Sequence, residues 1–310
     1  MSKVRGYAIG LMSGVLWAVY SVLSSVVGSM EPYSSLSGVL VPAFLISLVV
    51  ALTSSISCVA IIVVKGKFRT LYKSLITKES LLLAVAGILA GPLAMVCYTI
   101  SVNSVGAGVA STITSMYPVL GLIIAVALRK ESCSAKKVLG VIVVTLGVIL
   151  VSYSPSETKF DNLGIILALI AALGWSLEGI IGSTAMEKLD YDISITIRQI
   201  MSLLFHIMII PIICTKSDLL QVTSSTLSNS TLVLIVAGVV ATLSYFLWYK
   251  SLNDLEVSTA MILNVSYAGW AVLLQVIVYR ELPSAISVLG TLLVILGTSK
   301  IIKLSYDSYN

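Results

Sequence analysis

The chain reads as an all-α membrane protein whose ten transmembrane helices form two inverted-topology repeats of five. Three observations predict this. Of 310 residues, 58% are hydrophobic and only 11% charged, with a mean hydropathy of +1.06, far from the averages of water-soluble domains. Ten apolar runs can be marked, centred near Trp17, Ile46, Ala90, Pro118, Val144, Trp175, Phe205, Val240, Tyr267 and Val294, each close to the roughly 20 residues a spanning helix needs. Finally, "YPVLGLIIAVALRKESCSAKKVLGVIVVTLG" from Tyr117 matches "YAGWAVLLQVIVYRELPSAISVLGTLLVILG" from Tyr267 without a gap, about 150 residues on. Tyr117 meets Tyr267, Glu131 meets Glu281, Gly140 meets Gly290 and Gly147 meets Gly297. Five helices in each copy make the second enter the bilayer from the opposite side, the design of secondary transporters. The expected repeats are residues 1–155 and 156–310.

The first run begins almost at the N-terminus and lacks a small-x-small exit, so it reads as the first helix and not as a cleaved leader. The second, "GVLVPAFLIS", is almost wholly apolar. Runs three and four hold Pro92 and Pro118, which free backbone carbonyls that a neighbour or a watery cavity must satisfy; each is a candidate hinge or a structural kink. Run five closes the first copy. In run six, "GWSLEG" matches "LWAVYS" of run one, setting Trp17 opposite Trp175 and Tyr20 opposite Glu178. Run seven carries Arg198, Gln199 and His206. Run eight matches run three, "IVAGVVAT" against "AVAGILAG", which pairs Gly87 with Gly238 and Tyr98 with Tyr249. Runs nine and ten repeat four and five. Small residues in "GILAGP", "GAGVAST" and "GWSLEGIIGST" let helix backbones approach closely. The polar connections around Lys65 to Glu79 and Thr215 to Ser230 are too short to bury a core of their own.

A net charge of +5 does not mark a nucleic-acid partner, because the basic residues follow topology. Lys3 and Arg5 precede helix one; Lys65, Lys67, Arg69, Lys73 and Lys78 follow helix two; Arg129, Lys130, Lys136 and Lys137 follow helix four. The alternate connections of that half hold none. The second half repeats the bias more weakly, with Lys188, Lys250, Lys300 and Lys303 against Lys159, Lys216 and Arg280. The positive-inside rule then sets both termini in the cytoplasm.

Four cysteines without CxxC spacing, Cys58, Cys97, Cys133 and Cys214, imply neither a metal nor a disulfide. One histidine cannot build a metal site. No nucleophile elbow, HExxH or phosphate loop occurs, which argues against an enzyme, and no cofactor is expected.

Charged side chains deep in a span cost about 2.5 to 3.5 kcal/mol. Glu178, past the middle of helix six, has no basic residue within one turn of its own helix, and Trp175 shares its face. Trp17 and Tyr20 stand near the same depth in helix one, Tyr117 in helix four, and Asn264, Tyr267 and Trp270 at i, i+3 spacing in helix nine, while Tyr245, toward the cytoplasmic end of helix eight, is placed to reach a central cavity. Trp and Tyr ordinarily belt the membrane interfaces, so rings gathered at mid-depth depart from the default. Ring faces attract cations, by about 0.5 to 2 kcal/mol per contact, and cage quaternary ammonium groups; one carboxylate balances the charge. The competing reading is that the rings fill space and a protonated Glu178 bonds a neighbouring helix. Arg198 either snorkels to the headgroups, pairs with Glu178 or gates the cytoplasmic side. His206 is either a packed histidine or a titrating one, and Tyr249 is expected at the inner mouth of a cavity. Tyr98 and Tyr249, with Glu178, Arg198 and His206, are the coupling or gate candidates.

At "LAGPLAM", "ASTITSMYP", "GWSLEG", "STAME", "IRQ" and "LNVSYAGW" the chain resembles the drug/metabolite transporter superfamily, with its EamA-like fold, and within it the LicB-type choline permeases of bacteria. The resemblance covers nearly the whole chain. It implies import of choline or a related quaternary amine through a bacterial-type cytoplasmic membrane, with Trp17, Trp175, Glu178, Tyr245 and Tyr267 around the ammonium and Asn264 alongside. Helix two departs from the pattern, lacking a polar pair expected there. A proton is a candidate coupling ion: bound cation and bound proton oppose one another at a lone carboxylate, and symport needs a second titrating group, for which His206 is the midspan candidate. The alternative within the superfamily is an exporter of amino acids or other small metabolites.

Overall fold

In the computed structural model, described for residues 2–36, 38, 40–105, 107–129, 131, 134–152, 161–224, 228–280 and 282–307, ten helices are long and apolar enough to cross a bilayer. They are α1 (Val4–Gly28), α2 (Leu40–Val64), α3 (Lys78–Ser101), α4 (Val109–Leu128), α5 (Ala135–Ser152), α6 (Asn162–Ala185), α7 (Tyr191–Ile213), α8 (Asn229–Asp254), α9 (Val257–Val278) and α10 (Ala285–Lys303). Each expected run is found. Short helices Phe68–Ser74 and Lys216–Ser224 lie in the two longest described connections. Glu281, Lys130, Cys133 and Lys159, named above, lie outside the described residues.

Local chemistry accounts for several helix ends. The Asp161 carboxylate accepts from the Leu163 and Gly164 amides at the start of α6, Ser228 accepts from the Thr231 amide at the start of α8, and Thr77 does the same for Ser80 in α3. Such caps satisfy amides that the helix itself leaves open.

The main packing pairs are α1 with α8, α3 with α6, α5 with α10, α2 with α7, α4 with α6 and α1 with α9, and α2 and α3 each lie against one further neighbour, α8 and α7. α5 and α10 touch closely: a Cβ added to Gly147 would stand 2.7 Å from the Gly290 carbonyl oxygen, and one on Gly290 would stand 2.6 Å from that of Gly147. Leucine and isoleucine side chains such as Ile56, Ile123 and Leu296 are exposed on the outside of the bundle, where a spanning protein meets acyl chains.

Three helices are interrupted. α3 takes a π turn over Leu89–Leu93 around Pro92, because proline lacks the amide that would continue the ladder. α4 breaks between helices Ala107–Thr114 and Tyr117–Arg129, just before Pro118. α9 breaks at Ser266, between Val257–Val265 and Tyr267–Tyr279, and has no proline to signal it. The breaks in α4 and α9 fall immediately before Tyr117 and Tyr267, the two tyrosines that head the internal match.

Charge gathers at the end of the bundle that carries the termini. Lys65 and Lys67 each reach Asp192 at 3.1 Å, and Lys67 also reaches Asp190 at 2.7 Å. Lys137 bridges Glu131 at 3.3 Å and Glu256 at 2.6 Å. Glu131 also accepts from the Val257 amide at 2.9 Å and the Ser258 hydroxyl at 2.7 Å, so it caps α9 from the α4–α5 connection and ties that connection to α9.

Candidate functional site

A cavity of about 700 Å³ runs into the bundle. Its mouth is at the end opposite the termini, beside Ser152, Pro283, Ser287 and the 92% exposed Leu282. The walls come from both halves of the chain. Trp17, Tyr20, Tyr98, Tyr117, Trp175, Tyr245 and Tyr267 all line it, together with Glu178, Arg198, His206 and Asn264.

Most of the rings expected to converge therefore do so. Trp17 stands with its ring centroid 4.8 Å from that of Tyr20 and 5.2 Å, edge-on, from that of Tyr245. Across the cavity Trp175 lies 5.8 Å from Tyr98. Trp175 also donates its indole N–H to the Ala90 carbonyl at 3.2 Å, which satisfies a backbone group inside the π turn that Pro92 creates. The Tyr98 hydroxyl is paired with the Ser111 hydroxyl at 2.9 Å.

Glu178 and Arg198 form the cavity floor. Each lies seven residues from the helix end nearest the termini, about 10 Å at 1.5 Å per residue, and the two are 5% and 4% exposed. Arg198 Nε stands 3.4 Å from Glu178 Oε1. The same oxygen accepts from the Tyr249 hydroxyl at 3.0 Å. The guanidinium carbon lies 4.9 Å from the Tyr245 ring centroid, and Nη1 donates to the Gln199 side-chain oxygen. Arg198 thus faces inward to Glu178, which removes the snorkelling alternative: its side chain meets the cavity and the buried carboxylate instead of the headgroup region.

Two candidates stand elsewhere. Trp270 does not line the cavity and is 36% exposed. Beyond the break at Ser266 the inward stripe of α9 runs through Tyr267, Ala268, Ala271, Val272 and Val276, and Trp270 falls nearly opposite Ala268 and Val272 at 100° per residue. Tyr249 is not at a mouth either. It is fully buried behind the floor and spends its hydroxyl on Glu178.

His206 sits in a pocket of hydroxyls. Its Nδ1 lies 2.8 Å from the Ser202 carbonyl, which can only accept, so Nδ1 carries a proton and Nε2 can accept from the Ser47 hydroxyl 3.0 Å away. Phe44 lies 5.5 Å from the imidazole. Ser47 and Ser202 both line the cavity, and neither was singled out from the sequence. Ser47 ends the apolar "GVLVPAFLIS" stretch, and Ser202 precedes His206 by one helical turn; those two positions were the available signals. Asn264 donates to the Ser13 hydroxyl at 2.8 Å and accepts from Tyr117 at 3.1 Å.

A bundle of ten spanning helices with interrupted segments around a deep, polar-floored cavity is the architecture of a secondary transporter. The chain belongs to the EamA-like transporter family, whose model matches residues 4–153 and again residues 162–302, and so to the drug/metabolite transporter superfamily. It is 28% identical over 299 residues to Protein LicB of Haemophilus influenzae, across 95% of this chain and 96% of that one. A solved crystal structure aligns with 97% of this chain and 98% of its own at a TM-score of 0.75 and 14% identity, a likeness of fold.

Proposed function

We propose that the protein imports choline or a similar quaternary amine by alternating access. The observation that carries this is the ring of aromatic side chains, Trp17, Tyr20, Tyr245, Trp175 and Tyr267, around one cavity that ends on Glu178. A trimethylammonium group donates no strong hydrogen bond; it is recognised by ring faces and a balancing negative charge. Asn264 stands where it can meet the hydroxyl of such a substrate. The basic residues argue that the termini are cytoplasmic, which makes the described state open to the outside and closed by ion pairs on the inside.

Two halves of five inverted helices are the mechanical basis of this reading. Its support is the twofold family match, the breaks before Tyr117 and Tyr267, and packing in which α1 with α8 mirrors α6 with α3. Residues 1–155 and 156–310 would rock about the shared site. Proton coupling is the finer part, with Glu178 and His206 as its carriers.

One observation favours a second reading. Arg198 and Glu178 together present both charges, which suits the zwitterion of an amino acid, as an exporter of that superfamily would need. Uptake of labelled choline into proteoliposomes decides between them. Wild type should accumulate choline, and Glu178→Gln and Trp175→Ala should each lose at least tenfold, with a pH gradient as the added variable for the proton. Transport of amino acids with neither binding nor movement of choline rejects the choline reading.

A further inference from the structure

The guanidinium of Arg198 occupies the kind of place that the preceding reading reserves for a substrate cation. It lies over the Tyr245 ring at 4.9 Å, within the roughly 6 Å reach of a cation–π contact, and beside Glu178 Oε1 at 3.4 Å. Ring face and carboxylate are the two elements of a cation cage.

The guanidinium spends its side-chain hydrogen bonds on Tyr245 and Gln199 and makes none to the carboxylate beside it. It carries five donors, yet Nε has no hydrogen-bond partner despite being buried, and its contact with Glu178 is electrostatic at 3.4 Å without a well-formed hydrogen bond. The firm bond runs from Nη1 to the side chain of Gln199, the next residue along α7, which itself lines the cavity. Glu178 keeps a second partner, Tyr249, whatever Arg198 does.

We propose that Arg198 is a tethered competitor. In the empty transporter its guanidinium stands in for the substrate's ammonium between Tyr245 and Glu178, and an arriving organic cation displaces it along the cavity wall. This rests on the choline-like reading and deepens it. Binding becomes an exchange of one cation for another, so the carboxylate has a counter-charge at every stage of the cycle. A buried carboxylate stripped of its partner is strongly disfavoured, and the tether spares the empty transporter that state on its return. Neutral isosteres of choline are rejected for the same reason: they would evict a cation and leave Glu178 without a counter-charge.

The test compares wild type with Arg198→Gln and Arg198→Lys, using labelled choline as the probe. Equilibrium binding is measured in detergent, and net uptake and choline–choline exchange in proteoliposomes. Arg198→Gln should bind choline about tenfold tighter, keep exchange, and lose at least tenfold in net uptake, because only the empty return stalls. Arg198→Lys should bind severalfold tighter and keep net uptake, since lysine retains the charge but cannot lie flat on the ring. Should Arg198→Gln fail to run as a monodisperse species, the lysine variant carries the test by itself. Unchanged or weaker binding in a folded variant, or a parallel fall of exchange and net uptake in Arg198→Gln, overturns the proposal. Absence of choline binding by wild type rejects the substrate reading instead, so the two failures are distinct.

Discussion

The Tyr117 hydroxyl donates to the backbone carbonyl of Met261 at 3.1 Å, tying the first residue beyond the break in α4 to the turn before the break in α9. The same hydroxyl proton is shared with Asn264 Oδ1, also at 3.1 Å. A hydroxyl of one interrupted helix thus reaches a backbone carbonyl of the other in a low-dielectric interior. Tyr117→Phe should therefore destabilise the fold by about 0.5 to 1.5 kcal/mol, the net worth of one hydrogen bond. Thermal unfolding in detergent checks this; an unchanged midpoint would mean that the hydroxyl adds nothing to stability.

Tyr245 separates ring from hydroxyl. Its ring meets both Trp17 and the Arg198 guanidinium. Phenylalanine keeps the ring face and leucine removes it, so Tyr245→Phe should hold choline within about threefold of wild type. Tyr245→Leu should weaken it by roughly 3- to 30-fold, the equivalent of about 0.5 to 2 kcal/mol. Equal losses in both would assign the effect to the hydroxyl.

The charges at the termini-bearing end tie helix ends together. Lys137 and Glu131 are nearly buried, and Glu131 holds the start of α9 through two hydrogen bonds. Glu131→Gln should loosen that end and raise the labelling rate of an Ala260→Cys probe, buried one turn into α9, by at least severalfold with a soluble thiol reagent. No change would locate the barrier elsewhere. The outer pair behaves differently with pH. A hydrogen bond to Asp190 holds the Lys67 ammonium above its ordinary value, so what it contributes is present through neutral pH and is lost only as pH rises through that elevated value. Labelling of the same probe, expressed relative to a free thiol at each pH so that the growing thiolate fraction cancels, should be flat from pH 6 to 8, roughly the range in which both partners stay charged.

Much of this was readable in the chain because the bilayer restricts what a sequence can do. Ten apolar runs became ten spans, and Glu178, Trp17, Trp175, Tyr245 and Tyr267 meet at one cavity, since rings and carboxylates at mid-depth need an inward reason. Trp270 lies outside the cavity because an i, i+3 series drifts by about 60° a step, and Tyr267 is already at the edge of the inward stripe that runs through Ala268, Ala271 and Val272. Arg198 and Tyr249 could not be assigned, because the distance between α6, α7 and α8 is a tertiary fact that no spacing within one helix encodes. Ser47 escaped notice for a simpler reason: a single hydroxyl at the end of an apolar run has the same appearance whether it faces lipid or a histidine.

The glycines of α5 and α10 give a sharp packing test. A methyl group on Gly147 would collide with backbone atoms, the Gly290 carbonyl and the Val294 amide, both at 2.7 Å. Gly147→Ala should destabilise by about 1 to 3 kcal/mol, whereas Gly28→Ala, with nothing within 4 Å, should leave the unfolding midpoint within about a degree, as surface changes of under roughly 0.5 kcal/mol do. A neutral Gly147→Ala would mean the two helices can part.

Because those two backbones meet without a side chain between them, α5 and α10 are welded into one strut that crosses from one half of the molecule to the other. A hinge cannot open along a weld. Rocking of the proposed kind would then have to be absorbed by bending where the ladders are already severed, in α3, α4 and α9, so the same interruptions that line the cavity would also serve as its joints.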